Sequence, residues 1–170
     1  MAGIERLGLD FDLSQGWTPQ DFHSAGITGA WVSLKAAEGV WFVVQFKAGT
    51  SGDNATLTLQ EAKSAAGGSA QNLAVIDHYW VKKNATPTSD LTGAEVWTEV
   101  TQSAAATVLA TAADYEMLAI PVLNEDLDAG FSYVNLSAGT TAAAQIAGSL
   151  ALLQGLAVQR SPDSLVAPGA

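Results

Sequence analysis

The chain has 170 residues, 48% apolar and only 14% charged, with a net charge of −10 and a pI near 4.3. That is enough chain to bury a core in one domain, and too apolar and too weakly charged for a disordered one. Seven basic residues against seventeen acidic ones, with Lys82-Lys83 the one adjacent basic pair, argue against phosphate backbones and anionic membranes, and the lack of cysteine excludes disulfides, thiolate zinc sites and cysteine nucleophiles.

The first ten residues lack a basic start followed by an apolar stretch, so no secretory signal is expected. No apolar run reaches the roughly 18 residues a membrane-spanning helix needs. The sequons at Asn54, Asn84 and Asn135 then read as chance strings of a Thr-rich chain.

Short β-rich runs alternate with turn signals, the pattern of an all-β sandwich or barrel. Residues 1–28 read as irregular, with Thr18-Pro19 placed to open a short helical turn, Thr18 as its cap. Strands are predicted over 30–34 and 40–47, with Glu38-Gly39 as the turn of a hairpin. The run Trp41-Phe42-Val43-Val44 with Phe46 is nearly continuous, as in a strand covered on both faces. After the turn signal at 50–54, residues 55–60 alternate, with Leu57 and Leu59 inward and Thr56, Thr58 and Gln60 outward. Gly67-Gly68 marks a loop of small residues, and 73–81 a further strand rich in β-branched and aromatic residues.

Residues 84–93 form a polar loop containing Pro87. Strands follow over 95–101, where Val96, Thr98 and Val100 oppose Glu95, Trp97 and Glu99, and over 105–110. The strand predicted over 116–123 carries Pro121, which demands an edge, a bulge or an early end. An acidic turn over 124–130 leads to a strand over 131–136. Residues 142–154 read two ways. Their Ala content favours helix, with Ile146, Leu150 and Leu153 on one face; as a strand, Ile146, Leu150 and Leu152 share a face. From Arg160 the chain reads as an extended tail. No repeat or linker divides it, so a single domain over 29–159 is expected, flanked by segments 1–28 and 160–170.

Candidate chemistry is sparse. Only His23 and His78 are available as bases, and no Gly-x-Ser-x-Gly elbow is present. His78 follows Asp77 directly, so on a regular strand the two point to opposite faces and do not pair. The run Asn124-Glu125-Asp126-Leu127-Asp128 offers oxygens for calcium but lacks the alternate spacing of an EF-hand loop, and reads as a solvated turn. Glu95 with Glu99, or Glu125 with Asp128, are the carboxylate pairs a hydrolase would need, and no spacing singles out either. Gly67-Gly68 lacks the Gly-Lys string of a phosphate cradle. Trp31, Trp41, Trp80, Trp97 and Tyr133 suit either core and protein-interface anchors or a sugar-stacking platform, the first being the commoner use of strand aromatics. No catalytic, metal or cofactor site is assigned.

One stretch carries a family signal. The strand Val40-Trp41-Phe42-Val43-Val44 and the turn through Gly52-Asp53 lead to Thr56-Leu57-Thr58-Leu59-Gln60-Glu61-Ala62, and then to Gly67-Gly68-Ser69-Ala70-Gln71-Asn72-Leu73. This resembles the small decoration, or cement, proteins encoded among the head genes of tailed phages. Residues 117–123 with Gly130-Phe131-Ser132-Tyr133-Val134, and Leu152-Leu153 with the tail Gln159-Arg160-Ser161-Pro162, resemble the same family's paired strands and closing strand. The resemblance spans roughly residues 30–163 and rests on structural rather than chemical residues. It implies a jelly-roll-like β-sandwich on the outer surface of a virion, made in the host cytoplasm. It also implies strand over 142–154, the major capsid protein as partner, and a homo-oligomer, dimer or trimer. Neither nucleic acid, membrane, cofactor nor catalysis is implied. Segments 1–28 and 160–170 are candidate capsid-binding arms, or else pack on their own domain.

Overall fold

The computed structural model describes residues 10–83, 96–111 and 116–157. Six strands form one antiparallel sheet, in the order β1 (Phe11–Asp21), β12 (Ile146–Gln154), β4 (Gly39–Phe46), β10 (Glu116–Leu123), β7 (Ile76–Lys83) and β8 (Thr98–Ala105). A second sheet is centred on β11 (Tyr133–Ala138) and β5 (Ala55–Ala62). The short strands β2 (Ile27–Thr28) and β3 (Val32–Ser33) both pair with β11; β6 (Gln71–Asn72) and β9 (Thr107–Ala110) both pair with β5. The protein is an all-β sandwich. Only the β2–β3, β5–β6 and β7–β8 connections stay within one sheet; every other connection crosses to the opposite one.

Alternation in the strands builds the core. Val40, Phe42, Val44 and Phe46 of β4 point inward and join Leu57 and Leu59 of β5 with Leu118 and Ile120 of β10. Each large apolar side chain taken out of water in this way contributes about 1.5–3 kcal/mol. Phe22 and Phe46 meet edge to face, with ring centroids 6.3 Å apart. The strands read over 40–47, 55–60 and 116–123 are present, and Leu57 and Leu59 are inward as their alternation requires.

Several expectations are corrected. Residues 11–21, read as irregular, form β1 against β12, and Thr18-Pro19 lies in that strand rather than opening a helical turn. Register shifts between Gln15 and Trp17 and between Trp17 and Gln20 break the two-residue period that would have announced the strand. Pro19 is tolerated there because β1 is an edge strand and the bulge removes its rung. Glu38-Gly39 does not turn a hairpin, since β3 lies in one sheet and β4 in the other. Residues 146–154 are strand, so helix propensity yields to pairing on both sides, with β1 and β4. Pro121 falls within an inner strand, but β7 pairs only with Glu116 to Ala119, so its missing donor lies beyond the last rung on that side. Residues 1–9, the Pro87 loop and the tail from Arg160 lie outside the described residues, as do Asn84 and Glu95.

Two aspartates fasten the turn before β12. Asp53 accepts the Ala142 N–H at 2.8 Å and the Ala143 N–H. Asp21 accepts the His23 and Gln145 N–H groups, each at 3.0 Å. The His23 and then the Gln145 hydrogen bond hold the Asp21 carboxyl below its ordinary value of 3.8. Folding thus favours the charged carboxylate. Its contribution is complete above the ordinary value and is lost as pH falls through the lower, folded one. Melting temperatures followed from about pH 6 to about pH 2 should show Asp21→Asn below wild type at the upper end, with the gap closing at the acid end. A gap that stays constant with pH would contradict this linkage.

Candidate interaction surface

An antiparallel sheet facing water normally alternates apolar inside with polar outside. The outer face of the six-stranded sheet departs from this. Its register aligns Leu13, Leu152, Trp41 and Pro121 in one row across β1, β12, β4 and β10. The next row is Gln15, Leu150, Val43, Ala119 and Trp80, and the third is Gly148, Gln45, Met117 and Lys82. Leu150 is 50% exposed and Leu13 49%. Trp41, Val43, Met117, Leu152 and Trp80 are half-buried. The apolar run in β4 is therefore not covered on both faces by the described residues: its outward members Trp41 and Val43 belong to this surface.

Trp41 and Trp80 touch, with ring centroids 5.0 Å apart and planes tilted by 47°. The His78 ring meets Trp80 edge-on at 4.9 Å. Of the five aromatics singled out from the sequence, only these two indoles come together. Trp97 is exposed just before β8, and Tyr133 is buried on the other sheet with the Lys35 ammonium 5.1 Å above its ring. The 47° tilt gives no single flat platform for a sugar ring to stack on.

Trp31 packs over the Gly67 turn. A Cβ at Gly67 would lie 2.6 Å from its indole nitrogen, and Gly67 has φ +73°. Gly67→Ala should therefore cost about 1–3 kcal/mol from the left-handed backbone alone, with the steric clash in addition, read as a lowered urea midpoint.

Asp77 and His78 do pair, contrary to the regular-strand expectation: Nδ1 of His78 lies 2.5 Å from Oδ1 of Asp77. The ladder shifts between Ile76 and His78, which frees Asp77 from strict alternation. Gln102 fills the gap by donating to the Ile76 and Thr107 carbonyls. The hydrogen bond from His78 holds the Asp77 carboxyl below its ordinary value. Among the described residues no hydroxyl is hydrogen-bonded to His78, so the pair is a carboxylate-held base without a nucleophile. His23 stands apart, its Nδ1 3.2 Å from the Thr141 carbonyl oxygen.

The acidic turn is a structural tie. Asp126 accepts the Leu123 N–H at 2.8 Å, closing a 3-10 turn over Asn124–Asp126. The Asp128 N–H donates to buried Glu61 at 2.9 Å, and the Gln71 amide donates to both Glu61 and Asp128 at 2.7 Å. Glu125 and Asp128 do not combine with a third ligand: among the described residues no three metal-ligating side chains converge. Glu99 stands opposite Trp80. Asn135 is fully buried in β11, which bars a glycan there.

Beside the tryptophans, β1 and β12 frame a trough of about 460 Å³. Sequence reasoning missed it and missed Leu13, Gln15 and Leu150 as surface residues. The strand reading of 142–154 held the one usable signal, because it put Ile146, Leu150 and Leu152 on a common face. No family model, curated protein or solved structure matches the chain.

Proposed function

We propose that this chain is a non-enzymatic virion structural protein that binds and stabilises a capsid shell from outside. The observation that carries the reading is the apolar outer face of the six-stranded sheet, where Leu13, Leu150, Leu152, Trp41 and Trp80 stand in adjacent rows. Contiguous apolar surface of this kind marks a protein contact. Strand spacings put the patch at roughly 300–400 Å² in projection. A stable interface needs about 800 Å² per partner, so the patch serves as the apolar centre of a larger contact. Several such contacts in a homo-oligomer, dimer or trimer, would reinforce one another.

The strand order supports the same reading. Crossing between sheets at nearly every connection, with the β7–β8 hairpin added outside β10, fits a jelly-roll-like frame, a scaffold that recurs in viral shells. A net charge of −10 keeps the protein off the packaged nucleic acid. The resemblance to phage cement proteins agrees with both. The test is co-sedimentation of the purified protein with capsids of the encoding phage stripped of accessory proteins. Saturable binding at a copy number set by the capsid lattice is expected. A folded protein that stays in the supernatant would overturn the reading.

A further inference from the structure

Seventeen acidic residues against seven basic ones set the charge of the whole chain, but not that of the outer face. From β1 to β7 its three rows hold no Asp or Glu, and their one charged member is Lys82. Glu99 enters only on β8, opposite Trp80 at the far end of the second row. Just past β4, Lys47 extends the face: its N–H donates to the Ile146 carbonyl at 2.9 Å, and Ile146 is 38% exposed on the next strand. The carboxylate of that fourth row, Asp21, stands two strand spacings away, about 10 Å, and already accepts the His23 and Gln145 N–H groups. Among the described residues no carboxylate pairs with Lys47.

The trough lies where this face is interrupted. The outward positions of β12 are Ile146, Gly148 and Leu150, so the glycine leaves a gap of one side chain between two exposed apolar ones. Ile146 and Leu150 stand four residues apart, about 13 Å along the strand. Val43 and Met117 continue the apolar lining on β4 and β10. The Pro19 ring bounds the gap on β1, 3.0 Å from where a Gly148 Cβ would lie. Among the described residues Lys47 is the only charged member of the lining, one strand and one row from Gly148, about 8 Å.

An apolar gap takes an apolar side chain, and an exposed ammonium on its rim, with no carboxylate of its own, takes one from the partner. A second copy presenting the same face is a poor match, because the rows from β1 to β7 offer Lys47 no carboxylate. A phosphate backbone or an anionic membrane needs clustered basic residues, and a single lysine stands beside the gap. We propose that the trough seats an apolar side chain of the shell protein, and that an Asp or Glu one or two residues away in the same segment pairs with Lys47. The inference rests on the shell-binding reading above and gives the chemistry of the partner surface.

The experiment measures affinity for stripped capsids and melting temperature for wild type, Lys47→Gln, Lys47→Glu, Lys63→Glu and Gln45→Phe. Lys63 follows β5 in the other sheet, so Lys63→Glu makes the same change in net charge away from the outer face. Lys47→Gln should bind about fivefold more weakly, and Lys47→Glu, which sets like charges together, at least about thirtyfold. Lys63→Glu should stay within about twofold of wild type. Lys47 is exposed, so both of its variants should melt within about two degrees of wild type. Raising salt from about 50 to about 500 mM should weaken wild type more than Lys47→Gln, since only wild type has the pair to screen. Gln45 is also exposed, and a phenyl ring there closes the gap from β4, so Gln45→Phe should bind at least about tenfold more weakly. Wild-type affinity in Lys47→Glu, an equal loss in Lys63→Glu, or the same salt response in wild type and Lys47→Gln would overturn the carboxylate contact. Wild-type affinity in Gln45→Phe would overturn the trough as the seat. Each of these leaves the shell-binding reading intact. Failure of the folded wild type to pellet would sink that reading, and this one with it.

Discussion

If the chain binds a capsid shell as proposed, Leu150→Asp should weaken that binding by about 30-fold to 1,000-fold while the free protein melts within a few degrees of wild type. Leu150 is half-exposed at the centre of the outer face, between Gln15 and Val43, so losing it opens no cavity in the core. In a contact it would be fully desolvated between Gln15 and Val43. Truncating a central anchor typically costs about 2–4 kcal/mol, and an aspartate there adds an unpaired buried charge. Binding isotherms from co-sedimentation, paired with thermal melts, separate the two effects. Unchanged affinity would move the contact elsewhere on the molecule. A large fall in melting temperature would show that Leu150 supports the fold rather than a partner.

Glu61→Ala should destabilise the sandwich by about 3–4 kcal/mol, read from urea unfolding. Glu61 is fully buried, and its two carboxylate oxygens accept from the Gln71 amide at 2.7 Å and from the Asp128 N–H at 2.9 Å. Removing it takes the acceptor from the Asp128 N–H and leaves the Gln71 amide with Asp128 alone. Glu61→Gln is the informative companion. Its carbonyl oxygen can keep the Asp128 N–H, but its NH₂ then faces the NH₂ of Gln71, so a loss of about 1–2 kcal/mol is expected. Equal losses in the two variants would mean that shape, not hydrogen bonding, holds the acidic turn onto β5.

Where residue pattern and pairing agree, the fold is legible in the sequence. β5 is legible from Leu57 and Leu59 alternating with threonines in a clean two-residue period, and β10 from its nearly continuous apolar run. β1 was hidden because two bulges shift its phase around Gln15, Trp17 and Gln20. β12 was ambiguous because Ala147 and Ala151 point inward, where the sandwich needs small side chains but isolated propensity favours helix. The surface was half legible. Trp41 and Trp80 stand out in the sequence as strand aromatics, but their contact depends on register between β4, β10 and β7, three segments far apart in the chain. The Asp77–His78 pair is not legible in the sequence for a local reason, since a bulge suspends the alternation rule at that point.

β12 stands between β1 and β4 with rungs along both sides, and among the described residues it is the only strand with which β1 pairs. During synthesis β1 therefore waits for β12, the last of the described strands to emerge. Closing so long a loop delays the first sheet, which places folding in the slow, millisecond-to-second regime of non-local β topologies. It also makes assembly cooperative. A nascent chain that ends before β12 leaves β1 without a ladder and one edge of β4 open to a neighbouring chain, so incomplete copies are prone to aggregate rather than to linger as half-folded monomers.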